Sequence, residues 1–338
     1  MNLKVRFALF VVGFALAAVV VLHVGPAVIW GHLRQTGWLL LPVVLVWGVV
    51  YTLNTIAWYT MLGLEPARPT LLRAWAISVS TFALNYIAPV AGLAGEGYRA
   101  VSAAPWLGRQ RAIGSVVQYR LLFSLAHMLF VFTAVIPAIF LLPHTAPILT
   151  LLIATALGVA LVIWFLIRRH HEGILEAGLD LLLMIPGLRR LARRLEPRRL
   201  KLRELDLQVT TLYQEHPGVF WRAIGLEFLA RCVMPFELAI IFWGLGLGVR
   251  IPEAFLATAL STTILNLLFF LPFELGAREG GLFLVFSLLG FGADQGVFAA
   301  VVTRLRELVW ALIGLLLLWA HGDRVSETVK GVPSAEAE

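Results

Sequence analysis

Long apolar runs dominate this sequence, and they restrict the class of fold that it can adopt. Of its 338 residues, 60% are hydrophobic and only 14% are charged, which excludes a soluble domain of this length. A helix needs roughly 20 apolar residues to cross a bilayer. Strand-like alternation, the mark of a β-barrel, is absent. We predict an all-α polytopic membrane protein with six full spans: Phe7–Trp30, Trp38–Leu62, Ala112–Leu142, Pro147–Ile167, Val219–Leu245 and Gln295–Ala320.

Two further apolar segments, Leu71–Trp106 and Ala254–Gly290, are interrupted by proline, glycine and charged residues. The stretch Pro272–Gly281 alone carries three charges and three glycines. A charge at the bilayer centre costs at least about 2.5–3.5 kcal/mol. Broken backbone at that depth persists only where protein or a watery cavity covers it. We therefore interpret both segments as re-entrant hairpins whose tips line a polar site.

The distribution of lysine and arginine predicts the topology. Ten basic residues lie between Arg168 and Arg203, and the positive-inside rule places that loop in the cytoplasm. The loop at Pro143–Pro147 has no Lys or Arg and is predicted to lie outside. Both ends of Leu71–Trp106 then face the cytoplasm, as a hairpin requires. We expect a multi-pass protein of a bacterial-type inner membrane, with both termini in the cytoplasm.

The two halves of the chain align at a constant offset of 183 residues (221 − 38 = 183). The matches include Trp38 with Trp221, Pro89 with Pro272, and Glu96 with Glu279. Three full spans lie between matching points of the two halves. Because each span reverses the direction of the chain across the membrane, an odd number of spans inverts the second half relative to the first. The sequence therefore predicts an inverted-topology repeat with two opposed re-entrant hairpins, an arrangement common in secondary transporters.

These boundaries divide the chain into five parts. They are an extra N-terminal transmembrane helix in 1–37, a first repeat at 38–167 with its hairpin at 71–106, a basic cytoplasmic loop at 168–217 with interfacial and amphipathic helices, a second repeat at 218–320 with its hairpin at 254–290, and a cytoplasmic tail at 321–338.

Charged residues in the interrupted segments and the neighbouring spans are the candidate binding residues. Glu96 and Arg99 lie three apart and share a face if that segment is helical, and Arg278 and Glu279 occupy the second tip. Arginine binds phosphate bidentately and stays charged at any working pH. We predict that the arginines hold a lipid phosphate while the glutamates orient them or meet a cationic headgroup; Glu–Arg pairs that only pin the hairpins are the alternative. The full set is Glu96, Arg99, Arg120, Glu274, Arg278, Glu279, Arg304 and Glu307.

A second polar set comprises Asn85, Glu227, Arg231 and Glu237. Glu227 and Arg231 are four residues apart and are predicted to pair. Glu237 has no obvious local partner; it either binds a proton during transport or is hydrogen-bonded to a neighbouring helix. His127, on an apolar face, is interpreted as a bonded core histidine.

Metal and cofactor sites are not expected. The chain has one cysteine, so an intrachain disulfide and a cysteine-based metal cluster are both excluded. Metal-ligand spacing, a nucleophile elbow and a phosphate-cradling glycine loop are all missing from the sequence.

The segment Asn85–Arg99, NYIAPVAGLAGEGYR, resembles the "N…P…G…GE..R" signature of the flippase-like family. That family is the transmembrane region of lysylphosphatidylglycerol synthases, also found as stand-alone proteins. Pro272 through Gly280, followed by Gly290 and Arg304, resembles its second signature. The resemblance covers nearly the whole chain and implies that phospholipid is moved between leaflets.

The sequence departs from the family pattern at two positions. Ala94 stands where a second glycine is common, and Glu274 replaces a residue that is usually small or polar. Both departures bear on which lipid is recognised. We expect no soluble aminoacyl-transferase domain after Lys330, so the resemblance does not imply lysyl transfer by this chain alone.

We expect a transporter, not an enzyme, that exposes a polar groove to a phosphate-bearing or zwitterionic headgroup while the tails stay in lipid. Two alternatives stay open: an intramembrane lipid-modifying enzyme that uses Glu96 or Glu279, and a membrane scaffold for a lipid-modifying partner. A membrane phospholipid is the expected partner, and a homo-oligomer is left open. Nucleic acid is not expected, because much of the basic excess behind the net charge of +7 sits in one loop.

Overall fold

A computed structural model describes the chain at 37–63, 67–87, 93–169, 214–267 and 277–330, with residues 34, 196, 200, 203 and 207 in isolation. The predicted span Phe7–Trp30, the helices of the basic loop, Glu274 and the tail from 331 onward lie outside these ranges. Glu279 lies within a described helix, but its side chain is outside the description.

Helices make up nearly all of the described ranges, and no strand occurs among them, which confirms the predicted all-α class. A 3-10 turn at Gly37–Leu39 leads into the first helix. We number the helices α1 (Leu40–Leu62), α2 (Leu71–Ile87), α3 (Leu93–Leu107), α4 (Arg109–Leu141), α5 (Ala146–Arg169), α6 (Pro217–Val233), α7 (Pro235–Gly244), α8 (Ile251–Leu267), α9 (Ala277–Leu288) and α10 (Ala293–Lys330).

Two helical stretches of the described chain are long and apolar enough to cross a membrane. They are Gly37–Leu62, with 26 residues, and Arg109–Leu141, with 33 residues. Only 22% and 28% of their most apolar windows are buried inside the protein, so most of that surface faces outward. They coincide with two of the predicted spans, and the six-span topology stays a prediction.

The predicted span Val219–Leu245 is divided into α6 and α7 at Met234. Pro235 explains the break, because it has no backbone N–H to donate to the carbonyl of Arg231 and its ring displaces that carbonyl. Met234 itself keeps right-handed helical angles, with φ −54° and ψ −40°, so the chain does not reverse there.

Both interrupted segments form pairs of short helices that pack on each other, α2 with α3 and α8 with α9. The connections at 88–92 and 268–276 lie outside the described ranges. In the first pair, the backbone N–H of Gly95 donates to Asn85 Oδ1 at 2.8 Å. A Cβ at Gly95 would collide with the carbonyl oxygen of Thr81. Only glycine lets α3 approach α2 this closely.

Each helix pair also packs on a long helix from the other half of the chain. α2 contacts α10, α8 contacts α4, and α1 contacts α6. At the first of these crossings, Ser80 Oγ donates to the carbonyl of Gly314 at 2.9 Å. Glycines with positive φ join each pair to the following helix, Gly108 at 74° and Gly290 at 80°. The inverted repeat itself stays a prediction.

Candidate functional site

Buried charges gather at two levels along α1. Trp47 and Trp58 mark these levels; they are eleven residues apart, or about 16 Å along the helix axis. The Trp47 cluster consists of Trp47, Glu237, Arg278, Arg306 and Glu307. The Trp58 cluster consists of Trp58, Glu96, Arg99, Tyr119, Arg120, Glu227 and Arg231.

Arg306 is the centre of the Trp47 cluster. Its Nε lies 2.9 Å from Glu237 Oε1 and its Nη2 lies 3.1 Å from Oε2, a two-point ion pair between α10 and α7. Its guanidinium also lies over the Trp47 ring, 3.8 Å from the ring centre. Trp47 Nε1 donates to Glu237 Oε2 at 2.6 Å, so three helices are fixed around one carboxylate.

Arg278 joins the hairpin helix α9 to this cluster. Its Nη2 lies 2.8 Å from Glu307 Oε1, and Arg306 Nη1 lies 3.5 Å from the same oxygen. Both side chains of the Arg278–Glu307 pair are largely buried. Two arginines and two glutamates give the cluster a formal charge of zero, which lowers the cost of burying it.

A cavity of about 90 Å³ lies against the Trp47 cluster. Its lining is part polar and part apolar. The polar part comes from α8 (Thr258, Ser261 and Thr262), α9 (Arg278), α10 (Thr303, Arg306 and Glu307) and the side chains of Trp47 and Glu237. The apolar part comes from Met234, Leu238, Leu265 and Leu282. Residues of α8 and α9, which belong to the second interrupted segment, therefore border this space, and Arg278 is part of its lining. The predicted hairpin tip between these helices lies outside the described ranges.

Tyr86, at the end of α2, lies near enough to this cluster to feel the charges of Glu307, Arg304, Arg278 and Arg306. Its hydroxyl has no hydrogen-bond partner among the described residues. Arg304, a candidate from the sequence, is buried on α10.

In the Trp58 cluster, Arg99 is enclosed by aromatic rings. Its guanidinium carbon lies 5.0 Å from the centre of the Trp58 ring and 4.6 Å from that of Tyr119. Among the described residues, its Nε and Nη1 have no hydrogen-bond partner. Glu96 turns instead towards Arg120, whose Nη1 lies 3.6 Å away. Arg120 lies at the surface edge of the cluster, since 51% of its side chain is exposed.

Glu227 and Arg231 are both buried, and they interact through their charges without a hydrogen bond between them. Arg231 Nη2 donates to the backbone carbonyl of Phe123 at 2.8 Å, and its guanidinium lies over the Phe123 ring. Neither oxygen of Glu227 has a hydrogen-bond partner of standard geometry among the described residues. Arg231, Tyr119 and Arg99 act on it electrostatically, so the pairing is one of charge without direct contact.

Several sequence-derived residues therefore have different partners from those expected. Glu237, the candidate proton-binding residue, is held by Arg306 and Trp47, which confirms the alternative of hydrogen bonding to a neighbouring helix. His127 is bonded, as predicted, with Nε2 2.9 Å from Asn266 Nδ2 on α8. In the described ranges, no group of three His, Cys, Asp or Glu side chains could hold a metal ion.

Sequence reasoning left Arg306, Trp47 and Tyr119 out of the candidate set. Arg306 had a usable signal, because a second arginine two residues after Arg304 in an apolar helix is expensive unless it is paired. Trp47 and Tyr119 carried no signal in the sequence that would have marked them, since aromatic residues are common in any apolar helix.

The arrangement suits recognition of a phosphate group. Arg278, Arg99 and Arg120 are guanidinium donors placed beside apolar helices, and each has a neighbouring glutamate or aromatic ring that holds it. Arginine forms strong, charge-assisted hydrogen bonds to phosphate oxygens.

Comparison with known proteins gave one family. The family described as "Lysylphosphatidylglycerol synthase TM region" matches residues 6–315 of the chain. No curated protein and no solved structure matches the chain.

Proposed function

Because the chain belongs to the lysylphosphatidylglycerol synthase TM region family, and is thus a membrane protein tied to lipid metabolism, we propose that it moves a phospholipid between leaflets. The headgroup passes through the polar space beside the hairpin helices, while the acyl chains stay in the surrounding lipid. The protein is a transporter in this proposal and not a transferase, and it resides in an inner membrane with both termini in the cytoplasm.

The observation that carries this proposal is the cavity between α8, α9 and α10. It places the Arg278–Glu307 and Arg306–Glu237 pairs beside a space of about 90 Å³ in a chain that is otherwise strongly apolar. Polar and ionised groups within a membrane protein are expensive and mark pathways for polar substrates. A headgroup that enters this space leaves water without losing polar contacts.

The two clusters differ in exposure, and this difference supports a direction of entry. Arg120 is half exposed and only loosely paired, so it can bind a phosphate at the protein surface. Arg278 and Arg306 are buried and tightly paired. In this proposal a headgroup first meets the accessible Arg120 and then exchanges with the buried Arg278–Glu307 pair. The predicted inverted repeat would allow the same sequence of events from the opposite leaflet.

Reconstitution of the purified full chain into liposomes tests the proposal. Inward or outward movement of a headgroup-labelled phospholipid is followed by adding a membrane-impermeant quencher. We expect Arg278→Gln to slow this movement about tenfold or more, because a hydrogen bond to a charged group is worth about 1.5–3 kcal/mol. Arg250→Gln is the matched control, since the Arg250–Glu253 pair is exposed and lies outside both clusters.

Two outcomes would contradict the proposal. Arg278→Gln and Arg99→Gln variants as active as the wild type would remove the site from the transport mechanism. Lipid recovered in chemically altered form, detected by mass spectrometry, would favour the alternative of an intramembrane enzyme.

A further inference from the structure

One wall of the cavity is a ladder of hydroxyl groups. Thr258, Ser261 and Thr262 lie on α8 at positions i, i+3 and i+4, so they share one face of that helix. Thr303 of α10 belongs to the same lining. The charged side chains of the Trp47 cluster form the remaining polar wall.

These hydroxyl groups have already used their hydrogens. Thr258 donates to the carbonyl of Ala254 at 2.8 Å, and Thr303 donates to that of Ala300 at 2.8 Å. Thr262 donates to the carbonyl of Thr258 at 2.7 Å, and Ser261 donates to the same carbonyl at 3.2 Å. A hydroxyl has one hydrogen and two acceptor lone pairs. This wall therefore offers the cavity only acceptors, and its matching ligand must donate N–H or O–H groups.

The charges of the cavity restrict the ligand further. Glu237 and Glu307 balance Arg278 and Arg306, so the cluster is neutral. A ligand phosphate that takes Arg278 removes the shorter of the two arginine contacts to Glu307 Oε1 and leaves that of Arg306 Nη1, at 3.5 Å. Weakening the ion pairing of a buried carboxylate is costly. A ligand that brings both an anion and a cation pairs with both residues at once. A purely anionic headgroup does not.

We infer that this cavity selects a zwitterionic headgroup with a primary ammonium group, of the phosphoethanolamine type. The phosphate binds Arg278, the ammonium binds Glu307, and its remaining N–H groups donate to the hydroxyl wall of α8. This assignment rests on the proposed function and names the substrate class of the same site.

Hydrogen-bond capacity separates a primary ammonium group from a methylated one. A primary ammonium group has N–H groups to donate to the hydroxyl wall of α8. A trimethylammonium group has no N–H to donate, so the cavity discriminates against it.

The test is competitive retention of lipids by the full chain. The protein is placed in nanodiscs containing equal amounts of phosphatidylethanolamine, phosphatidylcholine and phosphatidylglycerol, then released into detergent, and the retained lipids are quantified by mass spectrometry. We expect phosphatidylethanolamine to be retained about tenfold over each of the others, the ratio that corresponds to one net hydrogen bond.

Two neighbouring threonines supply a matched pair of variants. Thr262→Val removes a cavity acceptor while keeping the side-chain shape, and it should reduce the preference for phosphatidylethanolamine about fivefold or more. Thr263→Val is the control, because Thr263 makes the same kind of bond, to the carbonyl of Ala259 at 2.7 Å, outside the cavity lining. Ser261→Ala is a second cavity variant that keeps the test available if Thr262→Val does not fold.

Equal retention of the three lipids, or equal effects of the Thr262 and Thr263 variants, would overturn the inference. Liposome measurements separate it from the proposed function. Movement of all three lipids at one rate overturns the headgroup selection and leaves lipid transport standing. Selective retention of phosphatidylethanolamine without any lipid movement supports the cavity assignment and overturns transport instead.

Discussion

Arg306 of α10 and Glu237 of α7 are 69 residues apart in sequence and form a two-point ion pair, with N–O distances of 2.9 and 3.1 Å. The pair is closed off from solvent, since Arg306 is 1% exposed and Glu237 is 5% exposed. Trp47 adds a hydrogen bond on one side and an aromatic face on the other. Because Arg306 and Trp47 both bind the Glu237 carboxylate, this pair fixes the cavity wall. In the proposed mechanism it is the Arg278–Glu307 pair that exchanges with a ligand.

Removing one partner of the Arg306–Glu237 pair should destabilise the protein strongly. We expect Glu237→Ala to lower the free energy of unfolding by about 3–5 kcal/mol, because it leaves the buried Arg306 with only a 3.5 Å contact to Glu307, which Arg278 binds more closely. Unfolding in mixed micelles, titrated with a denaturing detergent, measures this change. The double variant Glu237→Met, Arg306→Met should regain most of the loss, since apolar residues of similar volume replace a buried ion pair at little cost.

Glu253→Ala is the control for that experiment. The Arg250–Glu253 pair has a similar N–O distance, 3.1 Å, but the Arg250 side chain is 48% exposed. An exposed pair contributes about 0–1 kcal/mol. A loss in Glu237→Ala no larger than in Glu253→Ala would show that Arg306 finds another partner and that the ion pair does not hold the wall.

Trp47 should matter through its indole N–H as well as through its size. Trp47→Phe removes the hydrogen bond to Glu237, which is 2.6 Å long, and places a smaller ring beneath Arg306. We expect the free energy of unfolding to fall by about 1.5–3 kcal/mol, the range for a hydrogen bond to a charged group. Trp310→Phe is the comparison, because Trp310 Nε1 donates only to the neutral carbonyl of Val44 at 3.0 Å. Trp310→Phe should lower the free energy of unfolding less, by about 0.5–1.5 kcal/mol. A larger loss in Trp310→Phe than in Trp47→Phe would contradict the role given to the Trp47 indole N–H.

Much of the helical architecture could be predicted from the sequence. The all-α class and the two helix pairs followed from apolar runs interrupted by proline, glycine and charge, and the paired helices α2/α3 and α8/α9 lie where those interruptions are. The break at Met234 had a signal in Pro235, which the prediction of one long span passed over. Helix boundaries and breaks can be predicted from sequence because they depend on residues that are close together in the chain.

The partners of the charged residues could not be predicted in the same way. Glu96 and Arg99 lie three apart in α3, yet one meets Arg120 and the other lies between Trp58 and Tyr119. When a helix is apolar on every face, its sequence does not indicate which neighbouring helix it will pack against. The identity of a partner on another helix therefore depends on tertiary packing, which spacing within one segment does not encode.

Arg99 should not tolerate lysine. The planar guanidinium lies within 5.0 Å of two ring centres, and lysine offers a point charge that cannot stack in this way. We expect Arg99→Lys to cost about 1–3 kcal/mol of stability, since desolvated cation–π contacts are worth up to about 2 kcal/mol each. Arg73→Lys is the control, because Arg73 contacts a single ring, that of Trp106, at 4.8 Å. Equal losses in the two variants would argue against aromatic enclosure of Arg99.

Two glycines of α3 should respond to alanine in opposite directions. A Cβ at Gly95 would meet the carbonyl oxygen of Thr81 and lie 2.7 Å from Asn85 Oδ1, so α3 would have to move away from α2. We expect Gly95→Ala to cost about 1–3 kcal/mol, as overpacking does, and to slow lipid movement because it displaces Glu96 and Arg99. Gly97 has nothing within 4 Å of an added Cβ, so Gly97→Ala should stabilise α3 by about 0.8–1 kcal/mol, the helix propensity difference. Unfolding in mixed micelles measures both; a neutral Gly95→Ala would mean that the two hairpin helices do not cross at this close distance.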